Sequence, residues 1–159
     1  MVIRWIVRLR GNWKESMEYL VGVGLALGVC VVFGRIVGFD RERVFYSMML
    51  TVVATYYILF AAMGGGGRAL ALECVAAVAF SVAAVAGFKG NPWVLAIGLA
   101  GHGVFDFFHP LLIENAGVPV FWRGFCLSYD VVAGVFMAGL LMRSSVGQAR
   151  AGKSAAASA

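Results

Sequence analysis

A chain of 159 residues that is 62% hydrophobic and only 13% charged, with a mean hydropathy of +0.88, lacks the polar surface that a water-soluble core needs, which excludes a soluble globular domain. Its net charge of +5 does not mark a nucleic-acid binder: the Lys and Arg residues flank apolar segments instead of forming a basic stripe, as expected of membrane-flanking charge. Cys30, Cys74 and Cys126 fall singly within apolar segments, so neither a disulfide framework nor a CxxC metal pair follows.

Residues 1–18 interleave Arg4, Arg8, Arg10 and Lys14 with Trp5, Ile6, Leu9 and Trp13, a pattern that fits either a short interfacial helix or a ragged charged terminus. Lys14, Glu15 and Glu18 interrupt the signal-peptide pattern and no small-residue cleavage site follows, so the first segment is expected to be retained. The first span is predicted over residues 19–39, with Gly24/Gly28 and Gly34/Gly38 at GxxxG spacing, and a charged loop, Asp40 to Arg43, follows it. A second span over residues 44–63 has no charge and the roughly 20 residues a crossing needs. The glycines 64–67 read as a turn, since no Gly-Lys-Ser/Thr follows to make a phosphate-cradling loop.

The third span, residues 69–88, carries Glu73 just inside its start. Asn91 before Pro92 is a helix-start signal: the amide side chain caps free N–H groups, and proline lacks the N–H that would be orphaned. The fourth span therefore begins at Pro92 and carries His102, Asp106 and His109, with a kink or an early end expected at Pro110. After a turn at residues 114–117, the fifth span covers 119–142 and a tail rich in Ala, Ser and Gly, 143–159, is expected to be disordered. The fold expected is all-α, an integral bundle of about five transmembrane helices over residues 19–142. It would sit as a multi-pass protein in a cell inner membrane, with the bilayer as its partner and homo-oligomers formed through small-residue helix faces. Lys and Arg divide almost evenly between the two sides, and an N-terminus inside is favoured only because the first span usually dominates.

The chemistry concentrates in the fourth and fifth spans. An Asp at the centre of a membrane helix costs roughly 2.5–3.5 kcal/mol on insertion scales, so such residues persist where they are paired, shielded or used. His102, Asp106 and His109 are spaced four and three apart and project from one helix face. A short turn makes the two spans antiparallel neighbours, and a pivot near Ala116 sets His109 opposite Arg123, Asp106 opposite Cys126 and His102 opposite Asp130. The last pair lies roughly 15 Å from the turn, near the middle of an about 30 Å hydrocarbon core. Glu73, Tyr56 and Tyr57 enter from the same side.

Three readings fit. The cluster is a paired network that fixes helix packing. Alternatively it is the site of a membrane-embedded metal-dependent enzyme, with Zn or Fe held by His102, His109 and one or both of Asp106 and Asp130, and with Glu73 or a tyrosine transferring protons. Thirdly, it is a proton relay or a proton-coupled small-solute path, as midplane His and Asp often are. Two histidines on one helix make neither a di-iron set nor a haem held between helices.

The pattern His102-x-x-x-Asp106-x-x-His109, a following proline (Pro119), then Cys126-x-x-x-Asp130 resembles a family of small multi-pass membrane proteins grouped as a domain of unknown function. The likeness covers residues 95–139, and the family is similar in size and in the C-terminal placement of its His/Asp segment. The resemblance implies that these positions matter and implies no particular chemistry.

Overall fold

The computed structural model describes the backbone of residues 2–36 and 43–157, and the side chains of residues 16–33 and 43–145. These residues form helices and no strand: α1, Val2–Val29, continued by a π-helical stretch Cys30–Ile36; α2, Arg43–Phe60, continued by a second, Ala61–Gly65; α3, Gly66–Lys89; α4, Trp93–Leu112; and α5, Trp122–Ala157. Among the described residues four stretches are long and apolar enough to cross a membrane: Ser16–Phe33, Arg43–Lys89, Trp93–Leu112 and Trp122–Ser145. The second is 47 residues long and doubles back on itself. Ser47 at the start of α2 donates to the carbonyl of Ala84 near the end of α3 at 3.1 Å, and Arg43 donates to that of Gly90 at 2.9 Å. Gly66 makes the reversal, with φ +79°, a conformation other residues rarely adopt. The glycine tract is thus a turn inside continuous helical backbone.

α4 and α5 form a second antiparallel pair. Gly103 faces Leu127 and Asp130, and a side chain at Gly134 would meet the Ala96 carbonyl at 2.7 Å, so missing Cβ atoms let the two backbones close together. α1 lies against α5 and runs parallel to it, with Gly124 facing Glu18 and Tyr19 and Gly22 facing Phe125 and Ser128. It is Gly22 that makes this contact, whereas Gly24 and Gly28 meet nothing within 4 Å. Gly38 and the side-chain surroundings of Gly34 lie outside the described residues, as does the charged loop up to residue 42.

Several boundaries differ from those expected. The N-terminal residues from Val2 continue directly into α1 as one helix instead of a separate interfacial one, and the basic and aromatic side chains before residue 16 lie outside the described set. α4 passes Pro110 and ends at Leu112, where Ile113 turns extended (φ −134°, ψ 117°). Proline removes one hydrogen bond, which costs little so close to a helix end. The tail expected to be disordered is helical to Ala157, consistent with its alanines, the best helix formers.

Large apolar side chains point outward along every helix, among them Leu20, Met48, Val75, Ile97 and Val135, a surface suited to lipid and costly in water. Hydroxyls hide on their own helices: Thr51 donates to the Ser47 carbonyl and Ser128 to that of Gly124, each at 3.0 Å, which satisfies them without water. The main apolar core joins Leu50, Leu95, Leu99, Ala133 and Met137. It occupies the half of the bundle toward the ends of α3 and α5. The other half holds the site.

Candidate functional site: a buried His/Asp cluster with a Glu/His annex

Among the described residues the buried charged and imidazole side chains are Glu73, His102, Asp106, His109 and Asp130, none more than 1% exposed. They form two groups.

In the deeper group, His102 Nδ1 lies 2.8 Å from Asp130 Oδ2 on the facing helix and 3.3 Å from Asp106 Oδ2 one turn along its own. Gly103 allows this approach, because Asp130 Cβ sits 3.1 Å from where its own Cβ would be. An ionised carboxylate only accepts, so with no cation bound Nδ1 carries a proton directed at Asp130, one that a cation bound at Nδ1 would displace. The Asp106 contact is then electrostatic, and neither Asp106 oxygen has a hydrogen-bond partner in good geometry, nor does Asp130 Oδ1. The Tyr57 hydroxyl and the Cys126 thiol face Asp106 from α2 and α5, and Phe80 of α3 packs edge-on against the His102 ring at 4.6 Å.

Ligand atoms of His102, Asp106 and Asp130 all lie within 4.8 Å of one another. Metal bonds of about 2.0–2.2 Å place tetrahedral ligand atoms roughly 3.3–3.6 Å apart, a value that falls between the 2.8 Å contact and the 4.8 Å upper limit of the spacings in this group. Three ligands drawn from two helices, with carboxylate oxygens to spare, can hold one divalent cation and leave a position open.

His109 does not belong to this set. It sits seven residues from His102, a rise of about 10.5 Å along the helix, too far for both to ligate one ion. Its Nε2 instead donates to Glu73 Oε1 of α3 at 2.7 Å. Asn115 completes this annex, which the sequence reading passes over as part of a turn. Its Nδ2 donates to Glu73 Oε1 at 2.8 Å and reaches the Tyr57 carbonyl at 3.4 Å, while its Oδ1 accepts from the Gly117 amide at 3.1 Å. Gly117 packs against the Phe60 carbonyl, so the α4–α5 turn is pressed onto the end of α2 and delivers Asn115 inward. Asn115 is half-buried, and no motif in the sequence marks it apart from other turn residues.

Tyr57 separates the groups. Its ring stacks on His109 with centroids 4.3 Å apart and lies 6.3 Å from His102. Arg123, expected opposite His109, is exposed, as a long cationic side chain near a helix end can be when it snorkels. Tyr56 packs on Trp122 outside the cluster.

The chain matches no protein-family model, no characterised protein and no solved structure.

Proposed function

We propose that this is an integral membrane protein crossing the bilayer five times, whose His102, Asp106 and Asp130 hold one divalent cation of the Zn or Fe class near the midplane. The alternation of helix directions supports five crossings: α1 parallel to α5, α2 antiparallel to α3, α4 antiparallel to α5. Each aqueous end then lies opposite the next.

One observation carries the cation: two buried carboxylates from two helices converge on one imidazole nitrogen, with three of their oxygens lacking hydrogen-bond partners. In a dry interior two carboxylates and one imidazole leave excess negative charge, and burying such charge uncompensated costs several kcal/mol. His102 pairs with Asp130 at 2.8 Å, and a second carboxylate, Asp106, stands 3.3 Å from the same nitrogen, more negative charge than one imidazole neutralises. A divalent ion with an open position polarises a substrate oxygen or activates water, and this is the basis for reading the protein as a membrane-embedded metal-dependent enzyme.

The test is elemental analysis of protein purified in mild detergent after exposure to Zn2+ or Fe2+. About one ion per chain is expected, lost in Asp106→Asn and His102→Ala and retained in His109→Gln. Folded wild-type protein that takes up no ion would contradict the reading, and so would loss of the ion in a folded His109→Gln variant.

A further inference from the structure

Among the described residues the buried carboxylates and imidazoles are confined to one half of the bundle. From the level of His102 toward the ends of α3 and α5 the interior is the mainly apolar cluster of Leu50, Leu95, Leu99, Ala133 and Met137 with the buried Tyr46, and a cavity of about 400 Å³ lined by Arg43, Tyr46 and Ser144 lies beyond it. Toward the α4–α5 turn it holds Glu73, His109 and Asn115, then a cavity of about 680 Å³ lined by Arg68, Ala69, Leu72, Pro110 and Glu114. Ala69 is one helical turn from Glu73, and Pro110 adjoins His109.

Resting on the cation site proposed above, we infer that the site is reached from one side only, the face carrying the α4–α5 turn, and that Glu73 is the station through which the cation enters. Glu73 Oε1 is occupied by His109 and Asn115. Its second oxygen, Oε2, is buried without a hydrogen-bond partner, which leaves a carboxylate oxygen ready for an incoming cation between the cavity and the site. The Tyr57 ring, stacked on His109 and with its hydroxyl toward Asp106, stands between this station and the ligands. Passage therefore requires Tyr57 to swing. On the opposite side a cation would have to cross packed Leu and Ala side chains where, among the described buried residues, the Tyr46 hydroxyl is the polar group and no carboxylate is present, close to the situation that makes bare charge in hydrocarbon so costly.

An entry residue has a kinetic signature distinct from that of a ligand. It lowers the barrier for arrival and departure alike, so its removal slows both rates by one factor and leaves Kd unchanged. With Zn2+ as the probe, Glu73→Gln is expected to slow association and dissociation in parallel by about tenfold, the low end of what electrostatic focusing contributes, and Glu73→Asp is expected to restore most of both. The wild-type protein supplies a second measurement: in sealed vesicles with orientation fixed by protease accessibility, Zn2+ should load only from the side exposing residues 113–121. Loading from the other side, or a Glu73→Gln variant with wild-type rates, overturns the inference while the cation site stands. A Kd that rises through faster dissociation makes Glu73 a ligand and also overturns it. Folded wild-type protein that binds no Zn2+ brings down both readings.

Discussion

The two halves of the α4–α5 hairpin use the same pair of helices to opposite ends. Toward the C-terminus of α5, Gly134 seats against Ala96 and Ala100 while Leu95, Leu99 and Met137 fill the space around it, so contact is apolar and stability comes from packing. Around Gly103, the same interface turns polar with His102, Asp106 and Asp130. Packing density does not require this change, since leucines would fill the space at lower cost. The difference lies in the carboxylate oxygens of the polar half that have no hydrogen-bond partner, two of them on Asp106, and these are the groups that the proposed cation would meet.

The sharpest way to break the comparison is to strip one partner from each half. Asp130→Ala leaves the His102 N–H without its acceptor beside Asp106, and removing one member of a buried ionic pair costs about 3–5 kcal/mol. It should show as the largest loss of thermal stability in detergent. Leu99→Ala in the apolar half leaves a cavity and should cost about 2–5 kcal/mol. Metal content sharpens the contrast, because Leu99→Ala should retain the ion and Asp130→Ala should not. A Leu99 variant that lost the ion while still folded would show the halves to be one unit.

Gly103→Ala tests the close approach that both halves share. Its new methyl would meet the Leu127 carbonyl at 3.0 Å and Asp130 Cβ at 3.1 Å, and overpacking of this kind costs about 1–3 kcal/mol. Since the push falls on Asp130, metal affinity should drop along with the unfolding temperature. Smaller still is the coupling between His102→Leu and Asp130→Leu. A double-mutant cycle should give at least about 0.5 kcal/mol, the level that distinguishes residues in contact from independent ones, and strictly additive losses would mean that the 2.8 Å contact contributes nothing.

Much of this hairpin is legible in the sequence because helical geometry is periodic. The four-residue step from His102 to Asp106 and a short turn are enough to set His102 opposite Asp130, the contact observed at 2.8 Å, and Asp106 opposite Cys126, which faces it. The same periodicity could have excluded His109 from the ligand set, since a shared face does not mean a shared depth. The Glu73–His109 pair was harder to see. It depends on how α3 rotates against α4, which is decided by packing of many small residues and not by any motif. Asn115 was hidden because turn residues usually face water, whereas here Gly117 and Phe60 turn it inward. The reversal at Gly66 was legible for the opposite reason: four glycines in a row leave little else for that stretch to be.

The most direct test of the central claim is the stability of Asp106→Asn with metal chelated, compared with wild type by thermal unfolding in detergent. If Asp106 is held for a cation, the chelated wild type keeps a buried carboxylate with no hydrogen-bond partner in good geometry, and the neutral, isosteric amide should raise stability by roughly 1 kcal/mol or more, as removal of strained functional groups commonly does, while abolishing metal uptake. If the cluster serves packing alone, Asp106→Asn should lower stability and chelation should change nothing, a result that would contradict the account.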